Sequence, residues 1–220
     1  MTEPIRVLLA DDQDLFREGV RVIIDAQEGM QVVGAARDGA EAVELVDSLS
    51  PDVVLMDIRM PELDGVEATR QIFLPARVER RSNAVRVLVL TTFVLDDRAA
   101  TAIRHGASGF ILKDTTPAML TDAIRTVHGG NAVLAPNDLS SLLEGQFSAQ
   151  VAVPQVFASL TEKEREIFDA VARGASNSEV AAALFLGEST VKTHVGAILR
   201  KLALRDRVQI VVFAYEHGLV

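Results

Sequence analysis

Four short apolar runs, each followed by polar residues that can handle a phosphoryl group, constrain this chain more than any other feature. The runs cover residues 7–10, 53–56, 87–90 and 110–112, and they lead into Asp11 and Asp12, Asp57, Thr91 and Thr92, and Lys113. If the runs are neighbouring parallel strands, their carboxyl ends meet at one edge of the sheet, where open α/β sheets bind ligands. Crowded carboxylates repel each other, and a hard cation such as Mg²⁺ relieves the repulsion. One carboxylate would then accept phosphate, while the ammonium and a hydroxyl stabilise the transferred group.

Apolar runs alternate with helical periodicity from residue 5 to about residue 128, interrupted by a polar stretch over residues 76–83. Five such βα units predict a doubly wound, five-stranded parallel sheet. Beyond residue 130 the alternation stops, and from residue 159 the pattern is purely helical. We therefore predict an α/β domain over residues 1–129, a linker over residues 130–157 and a small all-α four-helix domain over residues 158–220. The linker is expected to hold one short helix with Asn137 as its N-cap and an apolar side made of Leu139, Leu142 and Leu143.

The C-terminal region has the pattern of a helix-turn-helix. Capping boxes at Thr161 and Ser176 begin its first two helices, and a third helix is expected over residues 188–202. The turn before the third helix contains Gly187. Two closely spaced helices with a glycine in the turn are the signature of a helix-turn-helix.

The third helix of this region has a core stripe and an opposite face that is polar and basic. The stripe is formed by Val191, Val195, Ile198, Leu199 and Leu202. The polar face suits entry into the major groove of double-stranded DNA, and we assign contacts to Ser189, Thr190, Lys192, Thr193, His194, Gly196, Arg200 and Lys201. A mid-helix glycine costs ~1 kcal/mol relative to alanine, a cost that close approach to DNA would explain. In the last helix, the apolar residues that complete the small core or pair with a second copy are Val208, Val211, Val212 and Tyr215.

The net charge of −9 at first argues against DNA binding, but the charge is unevenly distributed. Residues 155–220 hold eight basic and eight acidic side chains, so the whole excess of acid lies in the preceding residues. Within residues 192–207, five basic side chains accompany a single acid, Asp206; they are Lys192, Arg200, Lys201, Arg205 and Arg207. A locally basic patch is compatible with DNA, because phosphates respond to the local field.

Composition excludes several classes of protein. The chain has 220 residues, 49% of them hydrophobic, and no cysteine, which rules out disulfides and thiolate metal sites. A reducing cytoplasm is the natural expectation for such a chain. No apolar run approaches the ~20 residues that a membrane span needs, so no membrane association is expected.

In combination, these motifs resemble a two-component response regulator of the NarL/FixJ type. The receiver motifs are Asp11-Asp12, Asp57-Ile58-Arg59-Met60-Pro61, Leu90-Thr91-Thr92 and the segment from Gly106 to Lys113-Asp114. The second half resembles the LuxR-type helix-turn-helix through Leu160-Thr161-x-x-Glu164 and Thr190-Val191-Lys192-Thr193-His194. The resemblance implies a flavodoxin-like receiver domain followed by a DNA-binding domain.

The resemblance also implies roles for individual residues. Asp57 would be the phosphoacceptor, and Mg²⁺ would be held by Asp12, Asp57 and the backbone carbonyl of Arg59, with Asp11 acting through water. Lys113 would pair with the phosphoryl group. Thr91 would move toward the new phosphate, and Phe110 would repack behind it.

The leading hypothesis is a transcriptional regulator, not a metabolic enzyme, that a sensor histidine kinase phosphorylates and that binds double-stranded DNA as a phosphorylation-dependent homodimer. A Mg²⁺-dependent phosphatase or phosphotransferase using Asp57 as nucleophile is the alternative. Such enzymes commonly carry a second acid two residues after the nucleophile, where this chain has Arg59. A third interpretation is a DNA-binding regulator whose receiver is not controlled by phosphorylation.

Overall fold

The computed structural model describes residues 3–81, 83–92, 97–131, 133 and 151–220. The chain divides into two compact units, residues 1–133 and 134–220, which are described separately below. The short linker helix predicted around Asn137, with its leucines at positions 139, 142 and 143, lies outside the described residues.

The described part of the N-terminal unit contains a five-stranded parallel sheet with the order β2-β1-β3-β4-β5. Its strands are β1 (Ile5–Ala10), β2 (Met30–Ala36), β3 (Val53–Asp57), β4 (Arg86–Thr91) and β5 (Gly109–Leu112). Its helices are α1 (Asp14–Asp25), α2 (Gly39–Leu49), α3 (Gly65–Ile72), α4 (Pro75–Val78), α5 (Asp97–Arg104) and α6 (Pro117–His128). This is the doubly wound, flavodoxin-like order, and the predicted fold class is confirmed.

Burial explains why the strand sequences are continuous apolar runs instead of alternating ones. Every residue of β3 is buried, as are nearly all residues of β4, because helices cover both faces of a parallel sheet. The core includes Leu9, Leu55, Leu88 and Ile111 from the strands and Ile24 and Ile124 from the helices.

Local caps fix where the helices begin after each strand. The carboxylate of Asp38 accepts a hydrogen bond from the Glu41 backbone at the start of α2, and Asp64 does the same for Glu67 at the start of α3, each at 2.9 Å. Thr116 caps α6, which has proline at its first position. These caps begin the helices that return the chain across the sheet after β2, β3 and β5.

The described residues of the polar stretch, 76–81 and 83, are held against α2. Its beginning forms the single turn α4. The Arg81 side chain is only 6% exposed, and its guanidinium contacts Asp47 and donates to the Ile72 carbonyl. Asn83 donates to the carbonyls of Ser50 and Pro51. The sequence alone gave no account of this segment; the structure assigns it a role in packing α2 and α3.

The C-terminal unit is helical throughout its described residues. A 3-10 helix (Gln155–Ser159) precedes α7 (Glu162–Ala172), α8 (Asn177–Leu184), α9 (Glu188–Lys201) and α10 (Arg207–Glu216). Both predicted capping boxes are present, at Thr161 and Ser176. The Phe157 ring meets Phe168 edge-on at 5.1 Å, so residues just before position 158 already belong to the core of this unit.

Candidate functional site

The acidic residues predicted to meet at the sheet edge do so. Oxygen atoms of Asp11, Asp12 and Asp57, one from each carboxylate, lie within 4.8 Å of one another. Asp11 and Asp57 are buried at the ends of β1 and β3, while Asp12 is exposed. Beside them is a cleft of about 240 Å³, lined by Asp12, Gln13, Asp57, Ile58, Arg59, Thr91, Thr92 and Lys113.

Lys113 closes this cluster from the end of β5. Its Nζ lies 2.6 Å from Oδ2 of Asp11 and 2.9 Å from Oδ2 of Asp57. Its backbone N–H donates to the Thr91 carbonyl at 2.8 Å, which fixes the lysine relative to β4. The sequence predicted that these groups lie close together; the structure adds that two buried carboxylates share one ammonium.

Burial and charge act in opposite directions on these groups. Burial raises the pKa of Asp57, and the hydrogen bonds from Lys113 and from the Arg59 backbone N–H offset this only partly. Burial also works against a charged Lys113, but its hydrogen bonds to Asp11 and Asp57 outweigh it and raise the lysine pKa above its ordinary value. The lysine therefore stays protonated near neutral pH.

The donor chemistry of this cluster fits a hard divalent cation. Three carboxylates offer oxygen ligands alone, and Mg²⁺ is usually bound by one or two carboxylates together with water or phosphate oxygens. The exposed carboxylate of Asp12 and the adjoining cleft leave room for such additional ligands. The residues present are compatible with the magnesium site expected from the sequence.

Gly65 shapes the loop that follows Asp57, a role that the sequence analysis missed. The Gly65 N–H donates to the Ile58 carbonyl at 3.0 Å, and a Cβ on Gly65 would lie 1.9 Å from the Asp57 carbonyl oxygen. No side chain fits in this space, so the close return of α3 beneath the acid requires glycine. The Asp64-Gly65 pair, seven and eight positions after the acid, was the available signal.

The two predicted switch residues lie in different surroundings. Thr91 is buried at the end of β4 and borders the acidic cleft. Phe110 lines a separate cavity of about 650 Å³ between β5 and α6. Residues 93–96, which follow β4, lie outside the described residues.

The polar face predicted for the third C-terminal helix is on the surface of α9. Ser189, Thr190, Lys192, Thr193, Gly196 and Arg200 are exposed, and His194 is partly exposed. Their exposed face lies opposite the buried residues Val191, Val195 and Ile198. This arrangement leaves an exposed helix surface, made of short polar side chains and basic ones, that is available to a ligand.

Lys201 departs from this prediction. Its ammonium contacts the largely buried Glu164 at 2.6 Å and donates to the Ser159 carbonyl at 3.1 Å. Because Glu164 also belongs to the α7 capping box, Lys201 ties α9 to the start of α7. We therefore revise the predicted DNA contact at Lys201 to a structural role.

Four residues of α10 were expected either to complete the small core or to pair with a second copy, and three of them are buried. Val208, Val211 and Val212 are 0%, 2% and 6% exposed, and only Tyr215 of this set is partly exposed. The valines are covered in this conformation, so they do not form an exposed pairing surface. The opposite side of α10 contributes Ile210, Phe213 and Ala214 to the core of the unit.

The ion pair of Lys201 gives a first testable prediction. Hydrogen bonds from Lys201 and from the Thr161 backbone lower the pKa of Glu164 from 4.5 to about 2. A carboxyl whose pKa is depressed by folding adds stability above its unfolded pKa and loses it as the pH falls. Lys201→Met should therefore destabilise the C-terminal unit at neutral pH, and the difference from wild type should shrink between pH 4.5 and about 2.

The chain has one tyrosine and no tryptophan, so Tyr215 fluorescence during denaturant unfolding reports on the C-terminal unit. Lys163→Met is a matched control, because Lys163 pairs with Glu166 at a largely exposed position. A Lys201→Met variant whose deficit is the same at every pH would contradict the assigned role of Glu164.

Comparison with known proteins extends these observations. Residues 7–125 match the response regulator receiver domain, and residues 158–214 match the bacterial regulatory proteins of the luxR family. The transcriptional regulatory protein LnrK of Bacillus subtilis (strain 168) is 39% identical over 97% of this chain and 98% of its own length. The transcriptional regulatory protein LiaR of the same organism is 40% identical over 98% of this chain and 99% of its own length.

A solved structure is similar over the full length. The crystal structure of the response regulator ChrA of a heme-sensing two-component system is 33% identical, has a TM-score of 0.52 and covers 100% of both chains. Within the part of this chain that the structure describes, no helix is long and apolar enough to cross a membrane.

Proposed function

The chain belongs to the response-regulator family, with a receiver domain and a LuxR-type DNA-binding domain, and on that premise we propose that phosphorylation of Asp57 controls its binding to DNA. The proteins it matches are transcriptional regulators, and it is a DNA-binding regulator of the same kind. The observation that carries the proposal is the buried carboxylate of Asp57, held between Lys113 and two further acids.

The donor in this proposal is a sensor histidine kinase. An Asp57 carboxylate oxygen attacks the phosphorus of a phosphohistidine, and the new O–P bond forms as the P–N bond breaks. The P–N electron pair stays on the kinase histidine, which takes up a proton and leaves as neutral imidazole, and Asp57 becomes an acyl phosphate. Asp12, Asp57 and the Arg59 carbonyl would hold Mg²⁺, with Asp11 organising it, and the bound ion would neutralise charge on the phosphoryl oxygens. Lys113, already protonated between Asp11 and Asp57, moves its contact from the carboxylate to a phosphoryl oxygen.

The signal then passes from the receiver to DNA. The hydroxyl of Thr91 approaches the phosphoryl group, and Phe110 repacks, which biases a two-state surface around β5 and α6. Two copies then bind so that their α9 helices read half-sites about one helical turn apart.

A direct test combines acetyl phosphate with intact-mass analysis. Wild type with Mg²⁺ should gain one phosphoryl group, borne by the peptide that contains Asp57, and a chelator should prevent this. Asp57→Asn should gain none, whereas Asp122→Asn, which alters a carboxylate that is 77% exposed on α6, should behave as wild type. Labelling of Asp57→Asn equal to wild type would refute the proposal, and continuous phosphate release from small esters would favour the phosphatase alternative.

Gly196 allows the proposed DNA surface to be tested separately from folding. A Cβ on Gly196 would meet no atom within 4 Å, so Gly196→Ala should raise the free energy of unfolding by about 1 kcal/mol. If the bare backbone at this position lies against DNA, the same substitution should weaken DNA binding. Unfolding and fluorescence-anisotropy measurements on one preparation check both effects. A variant that is more stable and binds DNA as tightly as wild type would remove Gly196 from the interface.

A further inference from the structure

The ring of Phe16 lies against the ammonium of Lys113, outside the set of residues assigned above. Nζ is 4.9 Å from the ring centroid, within the range in which an aromatic face attracts a cation. The same ammonium contacts Asp11 and Asp57 through carboxylate oxygens. The cation therefore has two carboxylates and one aromatic face as neighbours, and 8% of the lysine side chain is exposed.

The position of Phe16 is fixed by its surroundings. It lies in the first turn of α1 and packs partly against the core beneath the sheet edge. The next residue, Arg17, donates to the Asp11 carbonyl and pairs with Asp14. The Asp11 carboxylate in turn accepts a hydrogen bond from the Gln13 backbone at 2.9 Å. The start of α1 thus holds both the ring and one of the two carboxylates that contact the lysine.

We propose that Phe16 is a positioning residue that holds the Lys113 ammonium at the phosphoryl site. Lysine carries its charge on a flexible four-carbon stem, so its location depends on what surrounds it. The carboxylate of Asp57 no longer offers the same contact once it has become an acyl phosphate. The ring of Phe16 is the same before and after that step, and it attracts the ammonium in both states. It keeps the cation in place while its contact passes from the carboxylate to the phosphoryl oxygens.

This inference rests on the proposed function, because its test uses phosphorylation of Asp57. A ring of the same shape preserves the packing of Phe16 and changes only its attraction for the cation. The test therefore replaces Phe16 with mono-, di- and trifluorinated phenylalanine. Fluorination keeps the shape of the ring but weakens its negative face. The rate constant for phosphorylation by acetyl phosphate at saturating Mg²⁺ should fall stepwise along the series, by about threefold to tenfold in total. The rate constant of Phe16→Leu, which keeps apolar bulk without a ring, should be lowered at least as much.

The control series places the same analogues at Phe73, which follows α3. Those variants should keep the wild-type rate. If the rate constant is the same for all the fluorinated variants at Phe16, or falls only in Phe16→Leu, then Phe16 acts through packing alone. That result would overturn the inference and leave the proposed function intact. A wild-type protein that acquires no label at Asp57 would overturn both.

Discussion

Replacing Lys113 with Met is expected to slow phosphorylation of Asp57 by about 100-fold to 1,000-fold, the usual cost of losing one preorganised group that stabilises developing negative charge. The ammonium lies 2.9 Å from the carboxylate that would be phosphorylated and is held there by Asp11. Methionine is also unbranched and apolar, so it can occupy the space beside Phe16 without the charge. The rate constant with acetyl phosphate at saturating Mg²⁺ measures the effect.

The same variant should bind Mg²⁺ more tightly than wild type. Removing the ammonium leaves Asp11 and Asp57 with uncompensated negative charge, which favours a divalent cation. Calorimetric titration with Mg²⁺ would therefore separate a loss of catalysis from a loss of folding. Lys163→Met, at the exposed ion pair on α7, is the matched control. Phosphorylation of Lys113→Met within threefold of the wild-type rate would contradict the assigned role.

Gly65→Ala is expected to lower the free energy of unfolding by roughly 3 kcal/mol, at the upper end of the cost of overpacking. The added methyl carbon would stand 1.9 Å from the Asp57 carbonyl oxygen and 3.0 Å from Cγ of Met56. Because the first of these atoms is backbone, relief requires the loop after β3 to move. That movement displaces Asp57 itself, so the variant should also be phosphorylated more slowly.

Gly19→Ala is the matched control for this prediction. Gly19 lies within α1, and a Cβ there would meet no atom within 4 Å, so the substitution should stabilise the protein by up to about 1 kcal/mol. Denaturant unfolding of both variants gives the two free energies. If Gly65→Ala is as stable as wild type, the loop does not close on Asp57 as described.

The sequence predicts the meeting of the strand ends well because parallel topology leaves few alternatives. Once five apolar runs alternate with helices, the carboxyl ends must share an edge, so Asp11, Asp57 and Lys113 are brought together by the fold class alone. The capping boxes at Thr161 and Ser176 are equally local, since each depends on residues three positions apart. Both kinds of prediction rest on patterns that tertiary packing does not change.

Contacts between distant residues were beyond the sequence pattern. Lys201 lies on the polar side of a helix. Nothing in the neighbouring sequence indicates that it forms an ion pair with Glu164, 37 residues earlier. The clearance beneath Gly65 is likewise set by the carbonyl of Asp57, eight positions away and across a turn. The valines of α10 form a clear apolar stripe, but the sequence pattern does not indicate which residues pack against it. Such contacts follow from the packed structure only.

The most direct test of the account measures the affinity of the full chain for a DNA duplex selected from random sequence by the phosphorylated protein. Dissociation constants are determined with and without acetyl phosphate and Mg²⁺, at one fixed salt concentration, for wild type and for Asp57→Asn. We predict that phosphorylation tightens binding by wild type by about tenfold or more, as a coupling of ordinary size, and leaves Asp57→Asn unchanged. Equal tightening of both proteins, or no tightening of a wild type shown to be phosphorylated, would contradict control of DNA binding through Asp57.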